Sequence, residues 1–248
     1  MYYENDERYV YDGTFDDDWP DKEEKAVWRG VTSGGVNSVE NWRHLHRNRF
    51  VLMTNSTELG DSEVRITSVD PSHKGYYQNF DHFKPSEFVE KHTDIGFTEG
   101  RDCYPDCDFF GNVWTYKPKI SLSHQFKSKF VIDVDGHSFS GRFRAFLLSK
   151  SLPIKSTIFR EWHSSRIFAW RHFVPFDNRF DDIYSLLTYF IGLGNPTTAG
   201  TDGKPYMPRH DFEAQTIGKQ GREWAETVLR LEDMEVRFFN YFSTCFGF

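Results

Sequence analysis

The sequence predicts one α/β unit organised around a mostly parallel, doubly wound sheet of the Rossmann-like kind. Short apolar runs at residues 25–28, 130–135, 152–155 and 173–175 alternate with stretches whose apolar residues recur at helical spacing, the alternation that builds parallel sheets. The sharpest instance is residues 129–150. An apolar run there breaks at Gly136, and a helical pattern resumes with Phe143, Phe146 and Leu147 on one face. A length of 248 residues suits one domain or one large lobe of a two-lobed enzyme.

From the N-terminus, residues 1–24 are acidic, carry Tyr and Trp without periodicity, and read as an extended lead-in. Lys25-Ala26-Val27-Trp28 reads as a buried strand running into Arg29-Gly30 and a Gly34-Gly35 loop. Residues 41–49 read as a helix. Its run Arg43-His44-Leu45-His46-Arg47-Asn48-Arg49, taken alone, is a solvated basic face, and a strand is expected over residues 50–55. Residues 57–128 are rich in turn formers, show one strand signal at Ile95-Gly96-Phe97, and suggest no function. After the strand at 130–135, a helix is expected over 140–150 and strands at 152–155 and 173–175. An amphipathic helix marked by Ile183, Leu186, Leu187 and Phe190 follows, with Asp181 or Asp182 at its N-cap. Residues 192–208, rich in Gly, Thr and Pro, read as a flexible insertion. A long helix then places Ile217, Gly221, Trp224, Ala225 and Val228 on one face. The main domain is thus 25–230, and residues 231–248 form a last, aromatic helix.

Charge and composition exclude several classes. A net charge of −7 leaves no basic stripe for a nucleic-acid backbone. No run of 18 apolar residues marks a membrane segment, and residues 1–7 lack the basic flank and apolar stretch of a signal peptide. Taken alone, the chain reads as cytosolic. Twenty-five Phe imply a large aromatic core, with a sugar- or base-stacking surface as the functional alternative. Three cysteines make no framework: Cys103 and Cys107 can close a small disulfide or remain two thiols, and no second Cys or His pair stands at zinc spacing.

Residue chemistry favours an anionic ligand at one place. In the strand–turn–helix of residues 130–150, Arg142 falls in the expected first helical turn, where N–H groups are unpaired. A guanidinium there can fork onto a diphosphate or simply decorate an ordinary crossover. Asp133-Val134-Asp135 has the form that can hold a Mn²⁺ bridging a donor's phosphates, and equally the form of a turn or helix cap. Nothing else in the sequence supports the metal, and none is assigned. Gly192-Leu193-Gly194 lacks the third glycine and preceding strand of a dinucleotide site, and no P-loop string is present.

Several blocks taken together point further. Trp28-Arg29-Gly30-Val31-Thr32-Ser33-Gly34-Gly35, Asn41-Trp42-Arg43 and His46-Arg47-Asn48-Arg49-Phe50-Val51 resemble, in order, the first signature of glycosyltransferase family 90. This is the family of fungal capsule-associated proteins and animal protein O-glucosyltransferases. Residues 129–155 resemble its second block, Phe159-Arg160-Glu161-Trp162 through residues 170–175 its third, and residues 217–224 its closing helix. The likeness runs, with gaps, from about residue 21 to the C-terminus.

The resemblance implies a GT-B architecture, two Rossmann-like lobes with the donor held mainly by the C-terminal one. It also implies an inverting transfer from a UDP-sugar, xylose or glucose, to a glycan or protein hydroxyl. Donor contacts are implied for Arg29, Gly30, Val31 and Arg47, for His137, Ser138, Phe139, Ser140, Gly141 and Arg142, and for Lys155, Glu161 and His172. Within that set, the turn amides would meet the β-phosphate, Arg47 and Arg142 would offset charge on departing UDP, and Glu161 would take ribose hydroxyls. Residence in the Golgi or endoplasmic reticulum lumen is implied as well. Two departures stand out. Val31 occupies a position where a small hydroxyl residue is expected. The family's acceptor lobe and its aspartate base lie upstream of Trp28, where this chain has only 27 residues. None of Asp12, Asp16, Asp17 and Asp18 aligns with that base, so the catalytic base is unassigned. The expectation is a donor lobe whose N-terminal acceptor lobe is largely missing, with helix 231–248 shaped to pack on it. The alternative is a non-catalytic nucleotide-sugar-binding remnant.

Overall fold

The computed structural model describes residues 9–138, 140–197 and 204–246. Its strands are β1 (Glu23–Val31), β2 (Val64–Val69), β3 (Tyr77–Phe83), β4 (Thr93–Glu99), β5 (Ser128–Val134), β6 (Leu152–Ser156) and β7 (Val174–Pro175). Five of them form one parallel sheet in the order β4-β1-β5-β6-β7, and β2 and β3 pair antiparallel beside it. The expected parallel α/β sheet is therefore present. β5 sits at its centre with all seven residues buried, which explains a run of Phe130, Val131, Ile132 and Val134 with no polar alternation. Its two charged residues are matched: Lys129 pairs with Asp211 at 2.9 Å and Asp133 with Lys155 at 2.6 Å.

The helices are α1 (His46–Met53), α2 (Ser56–Leu59), α3 (Ser86–His92), α4 (Leu122–Gln125), α5 (Phe143–Leu148), α6 (Ile183–Ile191), α7 (Asp211–Val228) and α8 (Leu231–Phe246). Helix α6 starts after Asp182, as expected. In α7, Ala214, Gly218, Gly221 and Ala225 form the buried face. A Cβ on Gly218 would stand 2.9 Å from the Ser151 carbonyl, and one on Gly221 only 2.2 Å from that of His172, so only glycine lets the helix lie this close.

Four expectations need correction. Residues 50–53 are helical, not a strand: Phe50 and Val51 are the buried side of α1, and a short apolar run does not separate the two states by periodicity. The basic stretch before them is no solvated face, because Asn48 is buried and Arg47 is enclosed. The helix expected over 140–150 shrinks to six residues, with Arg142 as its N-cap rather than in its first turn. The lead-in is not merely extended. Asp16 and Trp19 are buried, with Asp16 pairing to Lys22 at 2.7 Å and Trp19 donating to Asp211 at 3.0 Å.

The stretch 57–128 supplies the β2–β3 ribbon, α3, the edge strand β4, and a loop closed by a Cys103–Cys107 disulfide, which resolves the two readings of those cysteines. Within 192–208, residues 198–203 lie outside the described residues. Leu193 and Met207 pair through two 2.9 Å hydrogen bonds, and Val69 donates to the Tyr206 carbonyl, so the ends of this stretch are tied to the fold.

Candidate functional site

The loops that leave the carboxyl ends of the parallel strands converge on one side of the sheet, the side on which open α/β sheets bind ligands. Arg47, projecting from the first turn of α1, ties two of them. Its Nε donates to the Asp135 carbonyl at 2.9 Å and its Nη2 to that of Val134 at 3.1 Å. Its Nη1 serves the Val31 carbonyl at 3.2 Å and Ser33 Oγ at 2.8 Å. Burial and the neighbouring Arg142 press its pKa down to about 10, which leaves it a cation at neutral pH. A Cβ on Gly136 would stand 3.0 Å from both Arg47 Nη2 and Ser33 Oγ, so any larger residue there would press on the Arg47 contacts. The guanidinium thus fixes the ends of β1 and β5 through four hydrogen bonds.

Beneath the turn lies a buried ionic cluster. Asp133 accepts from Ser140 Oγ and pairs with Lys155 Nζ, while Arg142 Nη2 stands 4.0 Å away. Burial alone would raise the Asp133 pKa, but Lys155 and Arg142 hold it below the ordinary carboxylate value. Lys155 also meets Glu161 Oε1 at 2.9 Å, an ion pair without hydrogen-bond alignment, and lies over the Phe143 ring. Burial raises the Glu161 pKa against the pull of Lys155. His163, 4% exposed and stacked on Phe143, is pushed down to about 4 by burial and by Lys155, so it is neutral at physiological pH. Asp133 is fully buried with its charge met by cations, and Asp135 accepts the Ile158 N–H at 2.8 Å. The two carboxylates are not presented as a metal pair.

A cleft of about 560 Å³ opens above this cluster, within the usual range for small-ligand sites. Ser138, Ser140 and Gly141 form one wall and residues 159–163 the other. Arg144, Arg230 and Met234 lie at its end, and Tyr9 reaches in from the lead-in. The Tyr9 ring lies where a Gly141 Cβ would be, 2.5 Å from that position. At six residues α5 is too short to bring a full helix dipole to the turn, so the cations around an anion here are side chains. Arg144 donates to the Leu229 carbonyl and Arg230 holds Asp233 at 2.9 Å, whereas Arg160 is exposed.

Of the thirteen expected donor positions, Ser138, Ser140, Gly141 and Glu161 line this cleft, and Lys155 lies behind Glu161. Arg142 is buried at the turn, where Nη1 donates to the Arg29 carbonyl at 2.6 Å. The Arg29 side chain points the other way, to Asp94 at 2.7 Å and to the carbonyls of Trp28, Asp94 and Pro118. Gly30 makes room for the Trp28 ring, and Val31 offers its carbonyl to Arg47. His137 bonds Asp102 at 2.8 Å and precedes the cleft-lining Ser138. His172 is buried against Trp224 and accepts the Phe168 N–H on Nδ1 at 3.2 Å, a packing role. Phe139 lies outside the described residues. Sequence reading did not single out Arg144, Arg160, Trp162, His163 or Arg230. Arg160 and Trp162 flank Glu161 in a block already noted, which was the available signal. Among the described residues no group of three or more metal-binding side chains gathers, and no helix is long and apolar enough to cross a membrane. The model of the family described as Glycosyl transferase family 90 matches residues 3–245, and the chain therefore belongs to that family of sugar-transferring enzymes.

Proposed function

We propose that the chain transfers a sugar from UDP to a hydroxyl acceptor, glycan or protein, and that the donor occupies the cleft between residues 138–141 and 159–163. The observation that carries this reading is the meeting of Arg144, Arg160 and Arg230 with Ser138, Ser140 and the side-chain-free Gly141 at the carboxyl ends of parallel strands. Three guanidinium groups and the Ser138 hydroxyl suit a diphosphate, the Ser140 hydroxyl donating instead to Asp133. Phe159 and Trp162 offer aromatic surface for the uracil, and Glu161, paired with Lys155 at 2.9 Å, accepts ribose hydroxyls. In the transfer, the acceptor oxygen attacks the anomeric carbon and the bond to the β-phosphate oxygen breaks. Its electron pair leaves on UDP, and the acceptor proton passes to a base. Arginines fixed before the reaction stabilise the charge that grows on UDP. In-line attack inverts the anomeric centre, and xylose or glucose is the sugar the resemblance supports. Within a GT-B architecture this sheet is the donor lobe. Isothermal titration with UDP tests the reading: the wild-type chain binds, and Arg160→Ala binds about tenfold more weakly, the loss of one charge-assisted contact. A folded wild-type chain that gives no heat with UDP sinks it.

A further inference from the structure

We propose that Asp102 is a positioning residue of this site, holding His137 so that its Nδ1 accepts a hydrogen bond from a hydroxyl of the donor sugar. The inference rests on the donor reading above and adds a role for a loop that reading does not use.

The loops after β1, β4 and β5 meet around Asp102. Its backbone is left-handed, with φ +54°, and is held there by Asn37, whose N–H donates to the Asp102 carbonyl at 2.6 Å. Asn37 is fully buried. Its Nδ2 donates to the carbonyls of Thr32 and Arg101 at 2.7 and 3.1 Å, and its Oδ1 accepts from Asn48 Nδ2 at 2.7 Å. On the other side, Cys103 bridges to Cys107, and the Tyr104 N–H donates back to the Asn37 carbonyl at 2.8 Å. Asp102 is therefore fixed on both flanks before it touches anything functional. Its Oδ2 then meets His137 Nε2 at 2.8 Å.

That contact decides the chemistry of the ring. A carboxylate accepts, so Nε2 carries the proton, and in the neutral imidazole the lone pair is then on Nδ1. Nδ1 has no partner among the described residues, and the His137 side chain is 66% exposed. Its neighbour Ser138 lines the cleft. A lone pair in that place accepts from an O–H and repels phosphate oxygens, so the group His137 recognises is a hydroxyl of the sugar and not the diphosphate.

The test separates sugar from nucleotide. Titrations of UDP and UDP-glucose against the wild-type chain, Asp102→Ala, Asp102→Asn and His137→Ala are compared, with ¹⁵N spectra of the His137 ring. We expect Asp102→Ala and His137→Ala to weaken UDP-glucose by roughly five- to tenfold and UDP by less than about twofold, the loss of one hydrogen bond to the sugar. Asp102→Asn keeps an acceptor for Nε2–H and retains most of the affinity. The spectrum shows the Nε2–H tautomer in the wild-type chain and a mixture in Asp102→Ala. A Cys103→Ser/Cys107→Ser chain behaves as Asp102→Ala. Equal effects on UDP and UDP-glucose, no effect on either, or an Nδ1–H tautomer in the wild-type chain overturns the inference while leaving UDP binding intact. Absence of UDP binding by the wild-type chain overturns the donor reading itself.

Discussion

Arg47 and Arg160 serve the same edge of the sheet for different ends. Arg47 is enclosed, and four of its hydrogen bonds go to the strand ends and Ser33, so its charge holds protein to protein. Arg160 stands exposed on the cleft wall. Lys155 belongs with Arg47, enclosed between Asp133 and Glu161, whereas Arg144 and Arg230 stand at the cleft beside Arg160 but each also holds a protein partner, the Leu229 carbonyl and Asp233. The site therefore has a buried cationic frame and an open cationic lining. The two are told apart by counting where the N–H groups go, not by the residue type or its place in a block. If the division is right, removing frame cations costs stability first, and removing lining cations costs ligand affinity alone.

The strongest way to break this division is at Lys155. Lys155→Ala leaves Asp133 fully buried with only Arg142, 4.0 Å away, to meet its charge. Removal of one partner from a buried pair costs about 3–5 kcal/mol, and urea unfolding at neutral pH reads it directly. A loss under about 1 kcal/mol would place Lys155 among the ligand-binding cations instead. Arg47→Ala follows with about 2–3 kcal/mol, since several carbonyls of β1 and β5 lose a charged donor while the loop around Ser33 can admit water. The same titration curve measures it, and unchanged stability with lost UDP binding would move Arg47 from frame to lining.

The frame also has a pH signature. His163 is neutral in the folded chain, with its pKa lowered to about 4 by burial, whereas an unfolded histidine titrates near 6.5. Between those values the unfolded state binds the extra proton, so this residue's contribution to stability is complete above about pH 6.5 and falls as pH is lowered. By pH 5 the loss reaches about 2 kcal/mol. Glu161 and Asp135, both raised by burial, act in the opposite sense, so the informative quantity is the difference from His163→Phe, which keeps the stack on Phe143. Thermal melts from pH 7.5 to 5 should show the variant losing less stability than the wild-type chain. Parallel curves would mean that His163 reaches water.

Much of the frame was readable beforehand and much of the lining was not. The alternation of apolar runs with helical periods identified β1, β5, β6, α6 and α7, because burial on both faces of a central strand leaves few polar choices. The block around residues 136–142 marked the turn at the head of the cleft. Three features escaped for physical reasons. Phe50–Met53 carries the same apolar content whether strand or helix, and only its packing on Phe176 and Phe180 decides. Arg47 reads locally as one of several basic residues on a solvated helix and by resemblance as a donor contact, and nothing local reveals that three strand-end carbonyls lie within its reach. Asp102 and His137 are 35 residues apart, and their contact exists only because β4 and β5 flank β1 on either side.

Arg160→Ala has the smallest expected effect on the fold and is the cleanest discriminator. The side chain is exposed and belongs to no ion pair among the described residues, so truncation leaves no buried charge, no cavity and no orphaned acceptor behind. Its stability cost should lie within about 0.5 kcal/mol, the range of ordinary surface substitutions. UDP affinity should fall about tenfold, near 1.4 kcal/mol, if the guanidinium meets the diphosphate as proposed, in a partly enclosed cleft where its field is screened less than at an open surface. Salt sharpens the reading: raising ionic strength should narrow the gap between the two chains, since screening weakens a contact at the cleft mouth more than one at its floor. Lys155→Ala should show no such narrowing in its stability defect. Equal salt dependence for both variants would collapse the distinction between frame and lining on which the functional reading depends.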